Sequence, residues 1–291
     1  MDGADAIAAQ ESQCKVMRGA GDLSAQWLAG VAACQQDGGC SPNQVPATVF
    51  SRLVRSCSPA AGAADEAEAA AAPVVVEDAI EPLVGHMRHP HAIPGCEPHG
   101  MVRANVEDRT YIMLLGDKPA AVRARYPGRA ILVDAGTNKY RTSLGWLVPS
   151  YAAAGVHFDA IYAWEATRHN ASYWHAVPAD VEPRLHFYNA PVTPHPGSAM
   201  NPVDWIRDMH RPGDFIVFKL DIDRDDIESA FIEQILDWPT AGEVIAEMFF
   251  EKHYTSADMM RHFGTPATDY PGALRLMRSL RAHGVRAHFC P

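Results

Sequence analysis

The alternation of short apolar runs with segments of helical periodicity, from about residue 75 onwards, constrains the fold of this chain more than any other feature. Such alternation is typical of a parallel sheet whose strands are connected by helices. The predicted strands are Thr110–Leu115, Ala130–Val133, Ala160–Trp164, Arg184–Tyr188, Phe215–Leu220, Glu243–Phe250 and Val285–Phe289. The predicted helices are Ser143–Ala154, Asn170–Ala176, Pro202–Met209, Asp226–Leu236 and Gly272–His283. We therefore predict an α/β fold with a doubly wound, mostly parallel sheet.

Composition divides the chain into three parts. Residues 59–73 are rich in alanine and contain no large apolar side chain, so they are predicted to form a linker. Residues 1–58 contain an amphipathic stretch from Asp22 to Ala33 and are predicted to form a small, helical, cysteine-containing N-terminal segment. Residues 74–291 are predicted to form one Rossmann-like domain. At about 150 residues per domain, a chain of 291 residues has room for roughly two domains, or for one large domain with an appended segment.

The cysteines bear on the compartment. Four of the six cysteines lie within the first 57 residues, at Cys14, Cys34, Cys40 and Cys57. An even cluster of this kind favours two disulfide bonds in an oxidising compartment, with three possible connectivities. The first five residues have neither the basic nor the apolar region of a signal peptide. Two expectations stay open: a secretory lumen if a longer precursor was trimmed, or the cytoplasm with reduced thiols.

Charge and hydropathy limit the partners. The chain has 25 Lys and Arg against 35 Asp and Glu, a formal net charge of −10. Binding to nucleic-acid phosphates needs a surplus of basic residues, so no nucleic-acid partner is predicted. No apolar run approaches the length of about 18 residues that marks a membrane-spanning helix, so no membrane span is predicted. The sequence does not predict an oligomeric state.

Polar residues follow the first two strands of the predicted sheet. Asp134, Gly136 and Asn138 come after the first strand, and Glu165 comes after the second. Ligands of doubly wound sheets bind beyond the carboxyl ends of the strands, and a carboxylate after the second strand can accept both hydroxyl hydrogens of a ribose. These residues are therefore predicted to bind a nucleoside-type cofactor.

Charged residues also follow the later strands. Lys219, Asp221 and Asp223 recur with the period of a strand, which predicts that they share one face. Glu251 and His253 follow the next strand. Charges that leave an apolar strand are costly to bury without a role, so this end of the sheet is predicted to be functional.

These segments, in this order, resemble FkbM-type methyltransferases over residues 105–291. The segments that carry the resemblance are Asp134–Asn138, Trp164–Ala166, Lys219–Asp223 and Gly284–Phe289. The resemblance implies the class I Rossmann-like methyltransferase fold, S-adenosylmethionine as cofactor, and O-methylation of a sugar or small-molecule hydroxyl, so a small molecule or a glycan is the expected partner. It further implies cofactor contacts in three groups: Asp134, Gly136 and Asn138 at the methionine end, Glu165 at the ribose, and Asn189 with Ala190 at the adenine. Asp221 would lie near the methyl group.

The chain departs from the family pattern at two places. Tyr140 stands where a second glycine usually follows the Asn, and a tyrosine there is expected to crowd the cofactor loop. Asp223 followed by Arg224 replaces the usual Glu-Gly, which keeps the acid but shortens it by one methylene.

The requirements of methyl transfer indicate which residues could accept the proton of the acceptor hydroxyl. A sulfonium methyl group is already activated, so the enzyme must align it and accept one proton. The candidate bases are His253 and Lys219, with Asp221 orienting one of them. A lesser expectation is a divalent cation held by Asp221 and Asp223.

Two other functions fit parts of the sequence. Asp221-Ile222-Asp223 after an apolar strand is also similar to the Asp-x-Asp signature of metal-dependent glycosyltransferases, which bind a nucleotide sugar through Mn²⁺. That function does not account for Asp134–Asn138 or for Glu165. The second alternative is a binding protein of the same fold without turnover, which Tyr140 favours.

Overall fold

A computed structural model describes residues 14–17, 51–57, 74–80, 126–255 and 266–289. The main body is an open sheet of six strands, all parallel, with helices packed on it. Its strands are β4 (Ala130–Ala135), β5 (Ala160–Trp164), β6 (Leu185–Tyr188), β7 (Phe215–Leu220), β8 (Ile245–Phe250) and β9 (Ala287–Phe289). The α/β class and the parallel sheet predicted from the sequence are confirmed.

The order of the strands in this sheet is β6-β5-β4-β7-β8-β9. From β4 the chain first builds outwards to β5 and β6, then returns to the other side of β4 with β7 and continues outwards to β9. The loops after β4 and β7 therefore leave the sheet in opposite directions. In open parallel sheets this reversal opens a crevice at the carboxyl ends of the two strands.

Four helices agree with the prediction to within a few residues: α1 (Leu144–Ala153), α2 (Pro202–Met209), α3 (Asp225–Leu236) and α5 (Tyr270–Ala282). The short helix α4 (Ala241–Val244) was not predicted, and its last two residues belong to the predicted strand Glu243–Phe250. The helix predicted at Asn170–Ala176 is a 3-10 helix instead, at Ala171–Ala176. Gly155 and Gly284 follow α1 and α5 with φ of 79° and 94°, a left-handed conformation that suits a glycine after a helix.

Alternate residues of each strand enter two different cores, one on each face of the sheet. Ile131 and Val133 of β4 belong to a core that also contains residues of α2, α3 and α5. Leu132, between them in sequence, belongs to a second core that contains residues of α1. All six residues of β4 are buried, as are all six of β7 and of β8. Burial on both faces explains why these strands are continuous apolar runs rather than alternating ones.

A second, antiparallel sheet is formed by β1 (Cys14–Met17), β2 (Ser51–Cys57) and β3 (Val74–Ile80). Cys14 lies opposite Cys57 in the β1–β2 register, and Cys57 lies opposite Val74 in the β2–β3 register. The parts of the N-terminal segment that the structure describes are thus strands. The predicted helical stretch from Asp22 to Ala33, the linker at 59–73 and the strand Thr110–Leu115 lie outside the described residues.

In the described part of the chain, every helix is too short or too polar to cross a lipid bilayer.

Candidate functional site

A cavity of about 360 Å³ opens at the carboxyl ends of β4 and β7, where the chain reverses direction. We call it the switch-point cavity. Five of the residues predicted to bind a cofactor line it: Gly136, Asn138, Glu165, Ala190 and Asp221. Two others, Asp134 and Asn189, are not among the lining residues. Loops after four different strands thus converge on one concave site.

Gly136 allows the loop after β4 to lie against the loop after β7. It has a φ of 92°, and a Cβ atom added to it would lie 1.5 Å from the carbonyl oxygen of Asp221. The Asp221 amide donates to the carbonyl of Ala135 at 2.9 Å, which fixes this close approach. Position 136 therefore requires a glycine because the backbone of Asp221 leaves no room for a side chain. The sequence alone did not indicate this close approach.

The Glu165 carboxylate connects two loops of the cavity wall. It accepts a hydrogen bond from the Asn138 amide at 2.7 Å and one from the Thr167 amide at 2.5 Å. The Asn189 side chain donates to the carbonyls of Glu165 and Thr167, at 2.8 and 2.7 Å. Asn189 therefore lies behind the cavity wall and holds the loop that carries Glu165.

Asp134 and Lys219 form a buried ion pair beneath the cavity. The Lys219 ammonium lies 3.5 Å from one oxygen of Asp134 and 2.6 Å from an oxygen of Asp221. The other Asp134 oxygen accepts a hydrogen bond from the Ser143 hydroxyl at 2.6 Å. Burial raises the pKa of Asp134, although the charge of Lys219 opposes this rise. Because Lys219 is enclosed between two carboxylates, it is poorly placed to accept a proton from a substrate.

Asp221 and Glu251 interact across the ends of β7 and β8. Burial alone would raise the pKa of Asp221, but Lys219 and a hydrogen bond from Glu251 lower it to about 2. Burial raises the pKa of Glu251 to about 8, with Asp221 adding to the rise and His253 opposing it. At neutral pH Asp221 is therefore charged and Glu251 carries a proton.

His253 lies between two carboxylates at the end of β8. Its Nε2 atom is 3.6 Å from an oxygen of Asp223 and 3.8 Å from an oxygen of Glu251. Burial lowers the pKa of His253, but the hydrogen bond with Glu251 and the surrounding acids raise it overall. Asp223 lines the cavity and has a φ of 56°, an uncommon conformation for a residue other than glycine. We call Asp223, Glu251 and His253 the Asp–Glu–His cluster.

Tyr140 does not crowd the cavity. Its side chain is buried in the core that contains α1, and it is not among the residues that line the switch-point cavity. The departure from the family pattern at this position is thus accommodated on the core side of the loop.

Among the residues that were not predicted to be part of the site, Trp164 and Glu228 bear most on its chemistry. The ring of Trp164 stacks on Tyr188, with centroids 5.0 Å apart, and Trp164 also lines the cavity. Its Nε1 atom is buried and has no hydrogen-bond partner within the described residues.

Glu228 is fully buried on α3, and its Oε1 atom accepts from the Ile222 amide at 3.0 Å. Burial raises the pKa of Glu228 to about 7. A glutamate in an amphipathic helix gives no sign that it will be buried.

Comparison with known proteins gives no match to a family model, to a curated protein or to a solved structure. The resemblance to FkbM-type methyltransferases therefore depends on the quoted segments of the sequence alone.

Proposed function

We propose that this protein is an S-adenosylmethionine-dependent methyltransferase with a Rossmann-like, doubly wound fold, and that it methylates a hydroxyl oxygen of a sugar or another small molecule. The observation that carries the proposal is the convergence of Gly136, Glu165 and Asp221 on one cavity at the chain reversal. These residues follow three different strands, and each was predicted from the sequence to contact the cofactor.

The dimensions and chemistry of the cavity support a nucleoside-type cofactor. Its volume of about 360 Å³ lies within the usual range of small-molecule sites. A carboxylate has about four lone-pair positions, so Glu165 can accept two ribose hydroxyls while it keeps its two backbone amide bonds. The buried Nε1–H of Trp164 offers a further donor at the cavity wall.

Methyl transfer needs alignment and removal of one proton. When bound, S-adenosylmethionine would supply a methyl group already activated by its sulfonium sulfur, and transfer of that group to the acceptor oxygen would break its bond to sulfur. The hydroxyl proton must be lost in the same process. Of the two bases predicted, Lys219 is enclosed by Asp134 and Asp221 beneath the cavity, whereas His253, which does not itself line the cavity, lies 3.6 Å from Asp223, which does. We therefore assign loss of the proton to the Asp–Glu–His cluster.

The alternative functions have less support. The glycosyltransferase alternative depends on Asp221 and Asp223 acting together, but Asp221 is ion-paired with Lys219 at 2.6 Å while Asp223 lies beside His253. The alternative of a binding protein without turnover depended on Tyr140, which does not line the cavity.

We expect Glu165→Ala to weaken the binding of S-adenosylhomocysteine by roughly 2–4 kcal/mol, because it removes two charge-assisted hydrogen bonds to the ribose. Binding is measured by quenching of tryptophan fluorescence, since Trp164 lines the cavity. The matched control is Glu182→Ala, which removes an exposed glutamate that does not line the cavity and is expected to leave the affinity unchanged. Wild-type affinity in Glu165→Ala would exclude Glu165 from the cofactor site.

A further inference from the structure

We propose that Asp223, Glu251 and His253 bind one divalent transition-metal cation at the rim of the switch-point cavity. The cation would bind the acceptor hydroxyl and make its proton more acidic, so that with the cation bound, water rather than His253 accepts the proton. This use of the cation depends on the proposed methyltransferase function, whereas the binding of the cation does not. These three ligands differ from the pair expected from the sequence, which was Asp221 with Asp223.

The geometry of the Asp–Glu–His cluster suits a metal ion. One ligand atom from each residue can be chosen so that all three lie within 4.8 Å of one another. His253 Nε2 lies 3.6 Å from an oxygen of Asp223 and 3.8 Å from an oxygen of Glu251. Ligands at about 2.1 Å from a tetrahedral metal lie about 3.4 Å apart. Small rotations of two carboxylates are therefore enough to close the site.

The charges around the cluster favour a cation. Both buried lysines nearby already have carboxylate partners: Lys219 pairs with Asp134 and Asp221, and Lys252 contacts Asp225. Asp223 and Glu251 thus face each other across His253 without a lysine or arginine ion pair of their own in the described part of the chain. On binding, a divalent cation would take the place of the proton on Glu251, and the carboxylates of Asp223 and Glu251 would then neutralise its charge.

A fourth acid lies near the Asp–Glu–His cluster. Glu228 is fully buried, and its Oε2 atom has no hydrogen-bond partner within the described residues. Its Oε1 atom accepts from the amide of Ile222, next to Asp223, and its charge acts on His253. The negative charge of Glu228, when ionised, would add to the attraction of the cluster for a cation.

The ligand types indicate which metals fit. An imidazole nitrogen with two carboxylate oxygens suits Mn²⁺, Fe²⁺ or Zn²⁺, whereas Ca²⁺ and Mg²⁺ prefer oxygen ligands alone. Three protein ligands leave at least one position for a substrate oxygen. A hydroxyl bound there would lose its proton to water more easily, because the positive charge of the metal would favour the deprotonated oxygen.

The test is a titration of the full chain with Mn²⁺, followed by electron paramagnetic resonance and calorimetry. We expect one Mn²⁺ to bind, with nitrogen hyperfine coupling from His253. Asp223→Asn should weaken this binding at least about tenfold, since it removes a charged ligand. Asparagine tolerates the φ of 56° at this position, and the side chain of Asp223 is 61% exposed, so the variant should fold.

The matched control is Asp226→Asn, which makes the same change three residues away. Asp226 is exposed and pairs with Arg224, so Mn²⁺ affinity should stay within about twofold of wild type. Unchanged Mn²⁺ affinity in Asp223→Asn would overturn the proposal, because the bound Mn²⁺ would then lie elsewhere on the chain. Failure of the wild-type protein to bind either Mn²⁺ or Zn²⁺ would overturn it as well. Mn²⁺ binding without S-adenosylhomocysteine binding would keep the metal site and remove the methyltransferase function. S-adenosylhomocysteine binding without Mn²⁺ binding would keep the methyltransferase function and remove the metal site.

Discussion

Gly136→Ala is expected to lower the free energy of unfolding by about 3–5 kcal/mol, because the added Cβ meets the backbone of Asp221 and the φ of Gly136 is left-handed. The predicted separation of 1.5 Å between that Cβ and the Asp221 carbonyl oxygen cannot be relieved by a side-chain rotation. Either the loop after β4 or the loop after β7 must move. Urea denaturation measures the effect.

Gly197→Ala is the control for backbone strain alone. Gly197 has a φ of 75°, but a Cβ added there would have no neighbour within 4 Å. Its expected cost is about 1 kcal/mol, the usual penalty for a left-handed residue with a side chain. The difference between the two variants therefore measures the contact between the β4 and β7 loops. Equal costs for both variants would contradict the close approach described above.

Lys219→Met is expected to destabilise the protein by about 3–5 kcal/mol at neutral pH, because it leaves Asp134 and Asp221 buried without their counter-ion. Methionine matches the length of the lysine stem, so loss of the charge is the main change. Lys139→Met, at an exposed lysine in the loop after β4, should change stability by less than about 0.5 kcal/mol.

The cost of Lys219→Met should shrink as the pH falls towards about 5. Burial already raises the pKa of Asp134, and Lys219 is the charge that opposes this rise. Without Lys219 the pKa of Asp134 in the folded protein rises further. An acid whose pKa is higher in the folded than in the unfolded state destabilises the fold at high pH, and the fold regains stability as the acid is protonated. A cost that stays constant or grows on acidification would contradict this account of Asp134.

The strands and helices of the parallel sheet were predictable because their local signals agree with their tertiary roles. The bounds of β5, β7 and α2 are the predicted ones. Asn201 caps α2 by accepting from two backbone amides, and Pro202 takes the first helical position, which fixes the start of that helix. Because the carboxyl ends of parallel strands meet at one edge, the positions of Gly136 and Glu165 at the cavity also followed from the sequence.

The pairing of charges at the site was not predictable in the same way. Strand periodicity predicted one shared face for Lys219, Asp221 and Asp223, but β7 ends at Leu220 and Asp223 takes a left-handed φ of 56°. Asp221 therefore pairs with Lys219, while Asp223 lies beside His253 of the next strand. Such contacts depend on how the ends of β7 and β8 are aligned, which residue spacing along one strand does not encode.

The most direct test of the account is calorimetric titration of the wild-type protein with S-adenosylhomocysteine, alongside UDP with Mn²⁺ as a parallel titration. We expect S-adenosylhomocysteine to bind with a stoichiometry near one, and UDP with Mn²⁺ to show no nucleotide-dependent heat beyond that of Mn²⁺ alone. Binding of UDP in place of S-adenosylhomocysteine, or binding of neither, would contradict the methyltransferase proposal.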